Sequence, residues 1–304
     1  MDLGMIGLGR MGANMAKRLV AGGHRVVATD RAADAVLAAS KGGAIPAASP
    51  SELRDKLKPP RAAWVMVPSG DPTEQTVKAL GGLLEPDDVL LDGGNSNYKD
   101  SMRRGAFLAD RGIHFLDVGT SGGIWGVTEG YCLMIGGSRN IVGRLRPIFE
   151  TLAPAADRGW LHVGASGSGH FVKMIHNGIE YGMMQALAEG FAILKKKQPL
   201  AIDVAAVAEV WRHGSVVRSW LLDLTARALA ESPDLAGVAP WVSDSGEGRW
   251  TVAEAMDLDV PAPVITHALL ARLRSRDAES YADRLLAAMR NQFGGHEIRK
   301  APAR

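Results

Sequence analysis

The chain has 304 residues, 46% hydrophobic and 22% charged, with a formal net charge of +2. That is apolar material for one large domain or two of ordinary size, and the near-neutral charge points to neither nucleic acid nor a membrane surface. Short basic clusters such as Arg272 to Arg276 read as solvated helix faces. The single cysteine, Cys132, excludes an intrachain disulfide; in the apolar run Tyr131 to Ile135 it reads as a small buried residue. No apolar run is long enough to span a bilayer, and the N-terminus enters an apolar strand without a charged lead. A soluble cytoplasmic protein is expected.

Leu3 to Ile6 predicts a strand, and Gly7-Leu8-Gly9-Arg10-Met11-Gly12 leads from it into a helical pattern. Strand, G-x-G-x-x-G and helix in this order form a dinucleotide-binding turn. The glycines permit a tight turn and close approach to a pyrophosphate, which the helix N-terminus attracts. The second strand, Arg25 to Thr29, ends at Asp30, 18 residues beyond Gly12. A carboxylate there can accept from both ribose hydroxyls of NAD and repel a 2′-phosphate; its ordinary alternative is a helix cap. Arg31 can stack on adenine or contact a 2′-phosphate, so NAD is favoured with NADP as the alternative.

Helices are expected over Ala32 to Ser40, Ser49 to Leu57, Pro72 to Leu84 and Tyr98 to Arg111. Strands are expected over Ala62 to Val67, Val89 to Leu91, His114 to Val118, Tyr131 to Ile135 and Trp160 to Val163. Val67 and Pro68 open a loop facing the cofactor. Asp92 to Asn97 breaks the chain at a strand's carboxyl end, the ligand-binding edge of open α/β sheets. Asn95 is either a turn residue or a contact to both nicotinamide and substrate. Gly119-Thr120-Ser121-Gly122-Gly123 is a second small-residue loop, either simply flexible or offering N–H groups and a hydroxyl to an anion.

From Gly169 onward the pattern becomes helical: His170 to Lys197, Leu200 to Trp211, Val216 to Glu231, Val252 to Asp257, Val264 to Arg274 and Ser280 to Gln292. Ser243 to Gly248 reads as a polar loop before Arg249-Trp250-Thr251. The expected fold is a Rossmann-type doubly wound α/β domain over 1–163 and an all-α substrate and dimerisation domain over 164–304, ending in a short basic tail.

The stretch Gly167 to Gln185 organises the chemistry. Lys173, His176, Asn177, Glu180 and Tyr181 share one helix face. Phe171, Val172, Met174, Ile175, Ile179 and Met183 fill the rest, as in a helix buried on most sides. The ordinary alternative is a polar face whose lysine snorkels to water. The sharper reading is a proton-transfer pair, Lys173 and Glu180, flanked by hydrogen-bonding groups for a hydroxylated substrate.

These motifs, with Gly246 to Thr251 and Phe293-Gly294-Gly295-His296, resemble the short-chain branch of the 6-phosphogluconate dehydrogenases over nearly the whole chain. The wider β-hydroxyacid dehydrogenase group shares the glycine loop and a lysine–asparagine pair; His176, Glu180 and Tyr181 are similar to the phosphogluconate enzymes in particular. The resemblance implies oxidative decarboxylation of 6-phosphogluconate to ribulose 5-phosphate and carbon dioxide, with gluconate utilisation and the pentose phosphate pathway as context. Lys173 would be the base and Glu180 the acid. Substrate contacts carry over to Asn95, Ser121, Gly122, Gly123, His176, Asn177 and Tyr181. Arg249, Arg272, Arg290 and His296 would join Tyr181 around the phosphate. Gly7, Leu8, Gly9, Arg10, Met11, Gly12, Asp30, Arg31, Val67, Pro68 and Asn95 would bind the cofactor. No metal is implied. The tail would complete a neighbouring subunit's site in a homodimer or homotetramer.

Four positions depart from the pattern. Arginine stands at 249 where the long-chain enzymes usually have lysine. Ile124-Trp125 replaces an acidic pair, and Asp30 replaces a small polar residue of NADP-dependent members. The competing readings are a 3-hydroxyisobutyrate-type dehydrogenase, which would not need several phosphate-binding cations, and a non-catalytic NAD-binding sensor, which could lose Lys173 or Glu180 without penalty.

Overall fold

A computed structural model describes residues 1–294 and 297–299. The chain forms two compact units, one spanning Met1–Asn177 and one beginning at Gly178. The first contains β1 (Asp2–Ile6), α1 (Arg10–Ala21), β2 (Arg25–Thr29), α2 (Ala33–Lys41), β3 (Ile45–Pro46), α3 (Pro50–Lys56), β4 (Ala62–Val65), α4 (Asp71–Gly81), β5 (Val89–Asp92) and α5 (Tyr98–Ala109). It continues through β6 (His114–Ser121), α6 (Gly126–Glu129), β7 (Cys132–Gly137), α7 (Arg139–Arg144), α8 (Arg146–Leu152), β8 (Trp160–Gly164) and the start of α9 (Ser168–Lys196).

The strands form one eight-stranded sheet in the order β3-β2-β1-β4-β5-β6-β7-β8. Its chain order reverses beside β1, which leaves the crevice above β1 and β4 where α/β sheets bind ligands. Side chains alternate between two apolar layers. Leu3, Met5, Trp64 and Leu91 point into one cluster with Leu116 and Phe149. Ile6, Ala63, Val65 and Leu90 point into the other with Val27 and Leu108. Both faces are covered, as a largely parallel sheet requires.

Two neighbouring strands, β7 and β8, run against the other six. β7 pairs antiparallel with β6, Ser121 opposite Cys132, because the link between them is too short for a crossover. This hairpin places the Gly122-Gly123 turn at one end of the sheet. Cys132 begins β7 and is exposed, not buried as its apolar neighbours implied. Alternation turns it away from the layer that Leu133 enters.

Among its described residues the second unit has helices and connecting loops but no strand. It holds the rest of α9, then α10 (Val204–Trp211), α11 (Trp220–Glu231), α12 (Glu247–Asp257), α13 (Pro263–Arg274) and α14 (Tyr281–Gly294). Side-chain caps set two starts. The Asp203 carboxylate accepts from the N–H groups of Ala205 and Ala206, and Ser219 Oγ accepts from Leu222 N–H. The Ser219 cap explains why α11 begins at Trp220 and not at Val216. α12 begins earlier than its apolar pattern, since Gly246 turns the chain at φ 102° and places Gly248 to Thr251 on the helix. Phe191, Val204, Ala208, Leu222, Ala226 and Leu229 form its main core. The long helix α9 is less covered than expected: Val172, Ile179 and Met183 are exposed. The architecture is a Rossmann-type α/β domain followed by an all-α domain.

Candidate active site

The glycine turn is closed by sterics and by one carboxylate. Gly7 sits at φ 94°, and a Cβ there would lie 2.4 Å from Met66 O. A Cβ at Gly12 would lie 2.0 Å from Gly7 O, so α1 can pack on the turn only through glycine. A Cβ at Gly9 would meet nothing within 4 Å. That opening, at the N-terminus of α1, fits a pyrophosphate. Asp30 Oδ2 accepts from Leu8 N–H at 2.6 Å, and Oδ1 accepts from Ala32 N–H at 2.8 Å. The carboxylate therefore holds the turn while keeping acceptor capacity on both oxygens. Arg10, which opens α1, and Arg31, which follows Asp30, are both exposed.

Val67 and Pro68 follow β4. Thr73 Oγ1 donates to Pro68 O at 2.8 Å, and a Cβ at Gly94 would stand 3.1 Å from Val67 O. Asn95 is exposed at the tip of a loop whose base is buried and charged. Asp92 is fully buried; its Oδ2 accepts from Ser96 Oγ at 2.7 Å and its Oδ1 from Gly94 N–H at 3.1 Å. Buried Arg104 donates to Asp92 at 3.3 Å, Ser96 at 3.2 Å and Glu74 at 3.0 Å. A buried carboxylate paired this fully costs little, and it fixes the backbone that presents Asn95. Arg103 and Arg104 bonds hold the Glu74 carboxyl below its ordinary value, although burial alone would push it up.

Around the start of α9 the predicted groups come together. Lys173 and Asn177 are each 8% exposed. Lys173 Nζ donates to Asn177 Oδ1 at 2.7 Å. His176 Nδ1 lies 3.1 Å from the same oxygen, and His176 Nε2 lies 3.4 Å from Ser121 Oγ. Oδ1 of Asn177 only accepts, so this network assigns the proton to Nδ1 and leaves Nε2 to accept from Ser121. The Gly122-Gly123 turn has φ 128° and 53°, conformations reserved largely for glycine. Tyr131 supports it from below: a Cβ at Gly122 would stand 3.2 Å from the Tyr131 ring and one at Gly126 2.0 Å. Burial pushes the Tyr131 phenol up to about 12, and its hydroxyl has no hydrogen-bond partner among the described residues. Although Cys132 is exposed, partial desolvation by its surroundings raises its thiol, against the lowering effect of the Lys173 charge.

Glu180 follows Lys173 by two turns of α9, about 10 Å along the axis at the usual helical rise, and is half-buried. Tyr181, 5% exposed, begins a second group. Arg272 lays its guanidinium 3.6 Å from the Tyr181 ring centroid and donates to Ser243 O at 3.1 Å. Tyr181 Oη is 3.3 Å from Ser245 Oγ, which in turn bonds Glu247. Arg249 Nε pairs with Asp244 Oδ2 at 2.5 Å, and Arg276 lies 3.7 Å from the same oxygen. Burial raises the Asp244 carboxyl, but the Arg249 bond, the Gly246 N–H and both cations hold it below its ordinary value. Arg290 is exposed on α14 and takes no part in these contacts, and His296 lies outside the described residues.

Sequence reading did not single out Arg104, Tyr131, Asp244, Ser245 or Arg276. Arg104 and Arg276 carry a signal only as members of the short basic runs Arg103-Arg104 and Arg272 to Arg276, which read as solvated helix faces.

Comparison with known proteins agrees across both units. The NAD-binding domain of 6-phosphogluconate dehydrogenase matches residues 2–164, and the C-terminal domain of the same family matches residues 169–293. A putative 6-phosphogluconate dehydrogenase of Bacillus subtilis is 43% identical over 300 residues, covering 99% of this chain and 100% of its own. The NAD(+)-dependent, decarboxylating enzyme of Haloferax volcanii is 44% identical over 299 residues, 98% of each chain. Among solved structures, Plasmodium falciparum 6-phosphogluconate dehydrogenase, described with NADP+ and with 6-phosphogluconate, superposes with a TM-score of 0.84 at 28% identity. That match covers 100% of this chain and 67% of the other. With the glycine turn, the Lys173–Asn177 pair and full-length matches in both units, the chain belongs to the 6-phosphogluconate dehydrogenase family of decarboxylating oxidoreductases.

Proposed function

We propose that this chain converts 6-phosphogluconate to ribulose 5-phosphate and carbon dioxide, with NAD as the preferred oxidant. The observation that carries the reading is the chain of contacts from buried Lys173 and Asn177 through half-buried His176 to Ser121. It gathers a base, an amide, an imidazole and a hydroxyl, a set suited to a polyhydroxylated acid.

When bound, the nicotinamide takes up the hydride from C3. Neutral Lys173 removes the C3 hydroxyl proton. As an ammonium it then donates to the 3-keto oxygen, so the C1 carboxyl leaves as carbon dioxide and its bonding electrons form an enediol. Glu180, protonated, delivers a proton to the former C2, which becomes C1 of ribulose 5-phosphate, while Lys173 recovers the proton of the enol oxygen. Ser121, the Gly122 and Gly123 N–H groups, His176 and Asn177 orient the carboxylate and hydroxyls, with Asn95 reaching from its fixed loop. Tyr181, Arg249 and Arg272 hold the phosphate, whose binding displaces Asp244 from Arg249; Arg290 and His296 join them from a second copy. Arginine's planar fork suits a phosphate better than a lysine ammonium.

The NAD preference rests on Asp30, whose charge opposes a 2′-phosphate, while Arg10 and Arg31 keep NADP usable. A homo-oligomer is supported by the apolar side chains the second unit leaves in water, among them Val216, Trp220, Val238, Met256 and Leu286. A cytoplasmic location follows from these soluble reactants.

The test compares kcat/KM for 6-phosphogluconate, gluconate and 3-hydroxyisobutyrate, each with NAD and NADP. Preference for the phosphorylated acid by about a hundredfold or more is expected from several charge-assisted contacts to phosphate. Equal or better turnover of 3-hydroxyisobutyrate would remove the phosphate role of Arg249 and Arg272.

A further inference from the structure

The reaction outlined above gives no task to Asp117, yet this carboxylate is fully buried on β6. Its Oδ1 accepts from Gly167 N–H at 2.7 Å, and its Oδ2 accepts from His170 N–H at 2.9 Å. Both donors belong to the entry and first turn of α9, where N–H groups lack partners within the helix. A carboxylate at this end also complements the helix dipole. Here it is supplied by a neighbouring strand and not by the residue preceding the helix, so the bond fixes the helix to the sheet as well as closing its end.

Three glycines make that contact close. A Cβ at Gly169 would stand 2.2 Å from Asp117 O and 2.5 Å from Met134 O. One at Gly136 would stand 2.5 Å from Asp117 Oδ1 and 2.7 Å from Gly169 N. One at Gly119 would stand 2.5 Å from the Cβ of Lys173 and 2.6 Å from Gly169 O. The first turn of α9 therefore lies backbone to backbone on β6 and β7, with Lys173 one turn further along. A third tie comes from α5, where Ser101 Oγ lies 2.6 Å from Nδ1 of buried His170.

We propose that Asp117 is a positioning residue for Lys173: by gripping the Gly167 and His170 N–H groups it sets the height and rotation of α9 on the sheet, and Gly119 leaves the gap into which Lys173 settles. The proposal rests on Lys173 being the base of the reaction. Asparagine at 117 keeps one acceptor but aims an NH2 group at the second N–H. Alanine at 119 leaves Asp117 intact and pushes directly on the Lys173 Cβ. Two unrelated changes should thus produce one kinetic defect.

The test measures kcat, KM for 6-phosphogluconate, NAD affinity and the isotope effect with C3-deuterated substrate, in wild type, Asp117→Asn and Gly119→Ala. Amide exchange at Gly167 and His170 is followed in wild type and Asp117→Asn. Misplacing a base by about 1 Å should cut kcat roughly 10- to 100-fold and leave KM and NAD affinity within about twofold. The isotope effect should rise in both variants as C3–H cleavage becomes more rate-limiting, and the two amides should exchange faster in Asp117→Asn. A purely structural role would reduce the folded fraction and leave the isotope effect at its wild-type value; that result overturns the proposal, as does unchanged kcat. Should wild type fail to oxidise 6-phosphogluconate, the reaction assignment falls by itself. The exchange measurement still decides the clamp, which unchanged protection at Gly167 and His170 would overturn.

Discussion

Lys173 and Asn177 are each 8% exposed and bonded to one another, whereas the Arg249 side chain is 53% exposed and bonded to an aspartate. The same contrast runs through the two units. In the first, the groups that would do chemistry are placed by buried polar scaffolding: Asp92 and Arg104 beneath Asn95, Tyr131 beneath Gly122, Asp117 beneath α9. In the second, the candidate cations for the phosphate are more open, Arg249 and Arg290 exposed and Arg272 half-buried beside buried Tyr181, on a helical unit that leaves large apolar side chains such as Val216 and Met256 in water. Proton transfer tolerates little misplacement, so its residues gain from a rigid, dry setting. Phosphate capture depends more on charge, which acts over a longer range and can be supplied partly by another subunit.

The contrast can be broken from either side. The largest effect is expected in the first unit. Lys173→Ala should lower kcat by about a thousandfold or more, within the span of lost acid–base catalysis, with NAD affinity nearly unchanged by calorimetry. Unchanged turnover would remove the proposed mechanism. In the second unit Arg272→Ala should reduce kcat/KM for 6-phosphogluconate roughly 10- to 100-fold, the worth of one or two charge-assisted bonds. Its effect on gluconate should be slight; equal losses on both substrates would mean that Arg272 supports Tyr181 and not the phosphate.

The apolar surface of the second unit sharpens the comparison. Light scattering should give a mass that is a multiple of 32.3 kDa, and Val216→Asp should shift the population towards the single chain. A monomer in wild type would leave that surface unexplained and remove the shared phosphate site. The smallest effect is at Tyr131. Its hydroxyl is buried without a partner among the described residues, so Tyr131→Phe should match or exceed wild-type stability, by up to about 1 kcal/mol in denaturant melts. The sign with pH follows from a folded pKa raised from 10.0 to about 12. The neutral phenol's contribution is complete below pH 10 and is lost as pH rises towards 12, so wild type should lose stability there faster than Tyr131→Phe.

Sequence and structure meet where a signal is local. The range of β2 and the starts of β4, β5, β6, β8 and α5 follow from apolar runs and their breaks. β3 did not, because two residues on a sheet edge carry no alternation. The antiparallel direction of β7 is set by the length of a link, and the short helices α6, α7 and α8 carry too few turns for a period to stand out. The same division holds in the site. Lys173, His176 and Asn177 were legible because they repeat on one helix face, and they are brought together. Asp117, Arg104 and Tyr131 were not, since their roles arise only when strands and helices distant in sequence close on them. Asp244 lies in a loop read as generically polar, and the cations that define it come from α12 and from the turn that follows α13.

The most direct measurement supplies 6-phosphogluconate labelled with 13C at C1, with NAD in excess, and follows reduced cofactor and labelled carbon dioxide together. The account predicts equal amounts of both, with unlabelled ribulose 5-phosphate as the sugar product. Reduced cofactor without carbon dioxide, or no reaction at all, would contradict it.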